Sequence, residues 1–179
     1  GVVYHYNGNL HEALDYYESS FKISEEIGNK LFGGTVLSNI GLLNASKGEY
    51  DKALDYYSSS LEIRDKIGNK QNLAIIHHNI GVTYWNTSIY KKAKKHLEKS
   101  LSIQKEIEYG GILPLWTTTY LYLTYKNRGN KYYKNEIHSL IKKAEYIEFE
   151  LNFPIYQLLE HTSYLETAYN QIQEKTDNL

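Results

Sequence analysis

The 179-residue chain has no cysteine, no methionine and only two prolines. Without cysteine it has neither disulfide bonds nor thiolate chemistry. Lysine and arginine total 20 against 21 aspartates and glutamates, so the chain lacks a generalised electrostatic attraction to nucleic acid or to an anionic membrane, although a local patch stays open. Apolar runs such as 73–76 are far shorter than the ~18 residues that span a bilayer. We therefore expect a cytoplasmic protein without a membrane segment.

The chain does contain an internal repeat and 19 tyrosines. An ungapped comparison of 1–40 with 41–80 gives 16 identities, including Ala-Leu-Asp-Tyr-Tyr in both segments. The next comparison, 41–80 with 81–120, gives nine identities, and the one after it only five. The period is therefore 40 residues, and the last unit is degenerate. Many tyrosines recur with this period, so we interpret them as packing residues rather than as a catalytic or phosphorylation cluster.

Each unit has the pattern of two amphipathic helices. In 50–67 the apolar or small residues recur every three or four positions, and Gly68-Asn69 ends the run as a C-cap signal. Gly48 precedes this helix where the chain must reverse, in a left-handed conformation that suits glycine. We interpret the glycine pairs at 33–34 and 110–111 as connectors ahead of first helices. The remaining predicted helices are 33–46, 71–86, 90–107 and 114–127.

A helix pair of this size cannot enclose a core alone, so neighbouring pairs must stack. We therefore predict an all-α fold, an α-α superhelix of about four antiparallel helix pairs plus a C-terminal helix, in one domain over 1–179. Because residue 1 falls inside a helix and no initiator methionine is present, we expect a fragment of a larger protein. The predicted parts are a truncated unit at 1–30, units at 33–68, 71–108 and 112–150, and a terminal helix at 154–175 that begins at Pro154.

Three features together resemble the tetratricopeptide repeat (TPR) family: small Gly41 and Gly81 on first helices, a glycine at the turn, and a Tyr-Ala-Tyr pattern at 50, 53 and 57 on a second helix. The unit is longer than the standard TPR of about 34 residues. It is similar to the long repeats of cell-polarity scaffolds, kinesin light chains and prokaryotic sensor proteins. Leu121 replaces the small glycine in the fourth unit, which indicates an irregular, terminal repeat.

The resemblance implies a concave groove, lined by first helices, that binds an extended peptide or a partner helix. Asn39 and Asn79 occupy equivalent positions, where similar TPRs use a carboxamide to hydrogen-bond a peptide backbone; the alternative is that they bond neighbouring helices or water. Trp85 either anchors an apolar ligand side chain or packs between repeats, and we interpret Trp116 as core. The other groove candidates are Ser38, Leu42, His78, Val82, Thr118, Thr119, Tyr122 and Tyr125, with His5 and Tyr6 in the truncated unit.

Two further groups of residues are weighed for function. His77 and His78 are adjacent and so point about 100° apart on a helix, and the other histidines are scattered, so we expect no metal site. The basic run 91–99 keeps Ala93 and Leu97 in packing phase. We interpret its lysines as a solvated convex surface, with a docking patch for an acidic partner or nucleic acid as the alternative.

The chain has no P-loop, dinucleotide fingerprint or nucleophile elbow, and its acidic pairs lack apolar surroundings. We therefore predict no enzyme activity and no cofactor. The favoured function is a protein–protein interaction module for a protein or peptide ligand. The alternative is the sensor or regulatory arm of a larger signalling enzyme or transcription regulator. Nucleic acid is disfavoured as a partner by the neutral charge, and a homo-oligomer stays open because the truncated unit exposes a helix face.

Overall fold

The computed structural model describes residues 9–144, 147 and 149–177. In that part of the chain the secondary structure consists of nine helices without a strand, which confirms the all-α prediction. The predictions for His5 and Tyr6 lie outside the described residues. The helices are α1 (Leu10–Glu26), α2 (Lys30–Ser46), α3 (Tyr50–Ile67), α4 (Lys70–Asn86), α5 (Tyr90–Glu106), α6 (Leu113–Asn127), α7 (Lys134–Lys143), α8 (Phe149–Leu159) and α9 (Ser163–Asp177).

The helix boundaries repeat with the 40-residue period up to the end of α5. Helices α1, α3 and α5 begin at residues 10, 50 and 90, and α2 and α4 begin at 30 and 70. Gly48 has the predicted left-handed conformation, with a φ angle of 78°, and Gly68, the predicted C-cap of α3, has a φ angle of 74°. Pairs α2–α3 and α4–α5 therefore form two closely similar antiparallel units.

Helix α2 begins at residue 30, three residues earlier than predicted. Asn29 and Asn69 are the N-caps of α2 and α4, and each side chain accepts a hydrogen bond of 3.0 Å from a backbone N–H in the first turn. The prediction that the units begin at 33 and 71 missed this capping role. Asn69 directly follows Gly68, the C-cap of α3, and is at the same time the N-cap of α4. Gly33 and Gly34 consequently lie inside α2 and are buried, so their interpretation as connectors is wrong.

The small residues of the repeat allow close helix packing. A Cβ added at Gly41 would lie 2.7 Å from ring carbons of Tyr57, and one at Gly81 would lie 2.6 Å from Cγ of Leu97. The second helix also bonds to the first through buried serines, since Ser60 donates to the Gly34 carbonyl at 2.6 Å and Ser100 to the Ala74 carbonyl at 2.7 Å. These contacts and hydrogen bonds hold the two helices of each pair together.

The fourth unit departs from this geometry. Helix α6 begins at residue 113 rather than 110, with Pro114 in its first turn as predicted. Leu121 is 5% exposed where the earlier units have glycine, so α7 cannot approach α6 as closely as α3 approaches α2. The turn uses Gly129, at a φ of 69°, and α7 has only 10 residues.

The predicted terminal helix at 154–175 is wrong. The structure has two helices there, and Pro154 lies inside α8 rather than at a helix start. Leu151, Ile155 and Leu158 recur at helical spacing and are all 0% exposed, so their burial outweighs the ~3 kcal/mol that an internal proline costs. Glu160, with a left-handed φ of 61°, then ends this helix before α9 begins.

Candidate peptide-binding groove

The first helices of successive units form one continuous face. Helix α2 contacts α4, α4 contacts α6, and α6 contacts α8, whereas the second helices pack mainly on the first helices beside them. Helices that contact one another in succession lie on the inner side of a superhelix. The inner face is therefore formed by α2, α4, α6 and α8.

Asn39 and Asn79 lie on α2 and α4, and both are half-buried. Among the described residues neither side-chain carboxamide makes a hydrogen bond, although the Asn79 backbone carbonyl accepts one from Thr83 at 2.8 Å. Leu42 is 44% exposed one turn after Asn39, and Val82 is half-buried one turn after Asn79. Ser38, beside Asn39, is also half-buried. These two helices thus present matching amide and apolar groups.

An aromatic cluster continues the face from α4 to α6. The rings of Trp85 and Tyr120 meet edge to face at 5.2 Å between centroids, and Trp116 stacks on Tyr120 at 6.1 Å. All three side chains are half-buried, and the Trp85 indole N–H has no hydrogen-bond partner among the described residues. Burial raises the pKa of Tyr120 to about 12, so its hydroxyl stays protonated at neutral pH.

A cavity of about 310 Å³ opens beside Trp85. Its other walls come from the end of α6 and from α8, so three inner helices contribute to it. Lys126 lies at its edge and donates to the Gln157 carbonyl at 2.7 Å and to the Glu160 carboxylate at 2.6 Å. The cavity is large enough for one apolar side chain of a ligand.

Helix α6 presents other residues than those predicted. Thr118, Thr119 and Tyr122 are buried, and the Tyr122 hydroxyl donates to Glu136 on α7. Tyr125 faces α5, since its hydroxyl donates to Glu98 at 2.9 Å. These four are therefore removed from the set of groove residues on α6. Its residues on the inner face include Trp116, interpreted from the sequence as core, and Tyr120, which sequence reasoning missed.

His78 is buried and belongs to a polar network rather than to the open face. Its Nδ1 lies 3.0 Å from Oγ1 of Thr117, which also accepts from the Gln104 amide at 2.8 Å and donates to the Leu113 carbonyl. Burial lowers the pKa of His78 to about 4, so the imidazole is neutral at pH 7. It connects α4 to α6 and offers a ligand little surface.

His77 lies beside His96, one of the histidines that the sequence analysis treats as scattered. Nδ1 of His77 is 3.1 Å from Nδ1 of His96, and burial lowers the pKa of both rings, that of His77 to about 4. In the described part of the chain, no group of three or more histidine, aspartate or glutamate side chains has an arrangement that could hold a metal ion.

The lysines of the basic run lie outside the groove on α5. Ala93 and Leu97 are fully buried, as their phase predicted. Lys92 lies 5.0 Å from the ring centroid of Tyr84, and Lys94 lies 5.7 Å from that of Tyr125. Part of this charge is therefore engaged by aromatic rings of the chain itself.

The class of protein is thus an α-solenoid of stacked antiparallel helix pairs. A family profile described as "Tetratricopeptide repeat" matches residues 1–66 and 34–106, which together are more than half of the chain. The chain belongs to the tetratricopeptide repeat family. Repeats of this family generally mediate protein–protein interaction and are generally non-catalytic.

Solved structures share the fold at low sequence identity. RapI in its apo form superposes with a TM-score of 0.78 at 20% identity, over 97% of this chain and 50% of that one. BtubC from P. vanneervenii gives 0.66 at 23% identity, over 79% of this chain and 57% of that one. TPR-like repeats of a kinesin light chain-like protein from Podosopora anserina give 0.63 at 17% identity, over 98% and 92%. The chain therefore spans about half the length of RapI.

No curated protein matches the chain significantly. Of the helices that the structure describes, none has the length and apolar character needed to cross a lipid bilayer.

Proposed function

We propose that this chain is a protein-interaction module that binds an extended peptide along α2, α4 and α6. The observation that carries the proposal is the pair Asn39 and Asn79: two half-exposed carboxamides at equivalent positions of successive inner helices, both unused by the described residues. Each carboxamide offers one acceptor and two donor hydrogens, so it can bond both the N–H and the C=O of a peptide unit.

Specificity would come from the aromatic end of the same face. An apolar side chain of the peptide enters the cavity beside Trp85, which Leu123 and Tyr156 also line. Trp116 and Tyr120 lie outside that lining and supply flat apolar surface next to Trp85.

The Trp85 indole N–H is buried as well as unpaired among the described residues, so the ring offers the peptide apolar surface rather than a hydrogen bond. Tryptophan at such positions often supplies a large share of binding free energy. The two charged side chains of the lining, Lys126 and Glu160, pair with each other, which favours an uncharged peptide segment over nucleic acid.

The test begins with peptides selected from a random display library against the 179-residue chain. Affinities of the selected peptides are then measured by fluorescence anisotropy for the wild type and for the double variant Asn39→Ala/Asn79→Ala. Two peptide hydrogen bonds are lost at each asparagine, so we expect the dissociation constant to rise at least tenfold. Asn170→Ala, on the exposed side of α9, is the matched control and should bind as the wild type does.

A second measurement separates backbone from side-chain recognition. Variants of the best peptide are made, each with one backbone amide N-methylated. Methylation of a peptide unit that Asn39 or Asn79 binds should weaken binding to the wild type. The same methylation should not weaken binding to the double variant, which lacks both carboxamides. Equal binding by the wild type and the double variant, or a melting temperature lowered only by the double variant, would contradict the groove assignment.

The role of sensor or regulatory arm in a larger signalling protein also stays a proposal. Its support is the resemblance of the 40-residue repeat to the long repeats of prokaryotic sensor proteins. Sequencing of the full reading frame tests it, since it requires a catalytic or DNA-binding domain in the same polypeptide.

A further inference from the structure

Helix α5 carries three exposed lysines at positions where the equivalent helices of the earlier units are acidic or neutral. These lysines are Lys91, Lys95 and Lys99, and we call them the lysine stripe. The residues at the same points of α3 and α1 are also exposed: Asp51, Asp55, Ser59, His11, Asp15 and Ser19. Each of the three helices nevertheless keeps the same buried alanine near its start. The change of charge is therefore confined to the solvent-facing side, and helix packing does not require it.

The charge of the lysine stripe is not neutralised within the described part of the chain. None of its three ammonium groups forms an ion pair or lies over an aromatic ring there. On α3, by contrast, both lysines are paired with glutamate carboxylates, at 2.7 and 2.8 Å. The stripe thus presents its positive charge to the solvent or to a partner.

The lysine stripe is also unfavourable for the helix that carries it. Lys91 lies in the first turn of α5, which has no acidic residue, whereas α3 has Asp51 in its first turn. The N-terminus of a helix has a partial positive charge, so it favours an aspartate and disfavours a lysine. Like charges four residues apart repel each other on the same helix face. Residues that oppose local stability and pack against nothing indicate a role in binding.

The spacing of the stripe fits a helix with carboxylates on one face. Lysines four residues apart are separated by ~6 Å along the helix axis, so the whole stripe is ~12 Å long. Carboxylates at the same interval on a partner helix have the same separation, so each can approach one lysine. The equivalent positions of α3 carry Asp51 and Asp55, which repel a polyanion that extends beyond α5. A short acidic helix therefore fits this surface better than nucleic acid does.

We propose that the lysine stripe binds an acidic helix of a partner protein, with carboxylates at four-residue intervals along one face of that helix. The surface lies on α5, outside the groove of Asn39 and Asn79, and shares no residue with the site of the proposed function.

The probe is a fluorescein-labelled, alanine-rich peptide with four glutamates at four-residue intervals; a length of about 20 residues allows it to form a helix. Its binding to the 179-residue chain is measured by fluorescence anisotropy. A second peptide has the same composition with its glutamates spread around the helix, and an oligothymidine of matching length is the third probe. We expect the first peptide to bind at least fivefold more tightly than the second, and to lose at least fivefold in affinity between about 20 and 200 mM salt.

Two charge-matched variants test the stripe itself. Lys91→Asp/Lys95→Asp gives α5 the residues that α3 has at the same points, and it should weaken binding of the first peptide at least tenfold. Its melting temperature should stay equal or rise, since an aspartate replaces a lysine in the first turn. Lys22→Asp/Lys131→Asp changes the net charge equally at exposed positions on α1 and before α7, and it should bind within about twofold of the wild type.

The groove variant Asn39→Ala/Asn79→Ala should bind the first peptide as the wild type does, so this proposal and the proposed function can fail separately. The proposal is overturned if the first peptide does not bind saturably, if it binds no more tightly than the second, or if both lysine variants bind it equally. Tighter binding of the oligothymidine would assign the stripe to nucleic acid instead. A lowered melting temperature of Lys91→Asp/Lys95→Asp would show that the lysines stabilise the fold, which also contradicts the proposal.

Discussion

Residues 48 and 88 occupy the same turn in successive repeats, and both have left-handed backbone: φ is 78° at Gly48 and 59° at Ser88. The left-handed conformation costs an L-residue roughly 1–2 kcal/mol, whereas glycine adopts it freely. A Cβ at Gly48 would meet no atom within 4 Å, so the difference between the two residues is conformational rather than steric. The two turns therefore allow one backbone preference to be measured in both directions.

We predict that Ser88→Gly stabilises the protein and that Gly48→Ser destabilises it. Glycine also has more conformational entropy than serine in the unfolded chain, which reduces the stabilisation by about 0.4–1 kcal/mol. Among the described residues the Ser88 side chain has one hydrogen bond, a long one of 3.4 Å that it accepts from the Tyr90 hydroxyl, so its loss matters little. The net change is about 0.5–1 kcal/mol in the free energy of unfolding, upward for Ser88→Gly and downward for Gly48→Ser.

Urea unfolding followed by far-ultraviolet circular dichroism measures this change, and a thermal melt should shift by a few degrees at most. The control is Ser59→Gly, an exposed serine inside α3, where glycine costs about 0.5–1 kcal/mol in a helix. If Ser88→Gly lowered the free energy of unfolding as Ser59→Gly does, the left-handed turn would not be the source of the effect and the reasoning would fail.

Two further predictions concern packing and protonation. Burial lowers the pKa of His78 from 6.5 to about 4, so the unfolded chain takes up a proton at a higher pH than the folded chain does. The free energy of unfolding should therefore be unaffected above pH 6.5 and fall by up to ~3 kcal/mol towards pH 4, which urea unfolding at several pH values measures. If a His78→Gln variant kept the same pH dependence, another group would be its source. Gly81→Ala brings a Cβ to 2.6 Å from Leu97 Cγ, so overpacking exceeds the gain in helix propensity and stability falls by about 1–2 kcal/mol. On a Leu97→Ala background only the backbone nitrogen of residue 97, at 3.2 Å, stays close, so the same change should cost less, and an equal loss there would exclude the Leu97 side chain as the cause.

Much of the fold could be predicted because the repeat carries the information several times. The 40-residue period located α1 to α5, and the small residues at 41 and 81 indicated the helix contacts that the structure shows. The late start predicted for the first helices arose where one residue ends one helix and caps the next. Asn69 follows the C-cap of α3 and also caps α4, so a pattern of apolar residues alone set the start of the first helices too late.

The candidate groove was predictable only as far as the period holds. Asn39 and Asn79 lie at equivalent points of α2 and α4 because these helices begin at equivalent residues of the repeat, 30 and 70. Before α6 the connector is longer and the helix begins three residues later, so the positions that correspond by number no longer correspond in orientation. Thr119 is therefore buried where its counterparts are half-exposed, and Trp116 with Tyr120 joins the inner face instead. A residue role can thus be transferred between repeats only where the helices begin at equivalent residues, and this is why the two asparagines, rather than any residue of α6, carry the proposed function.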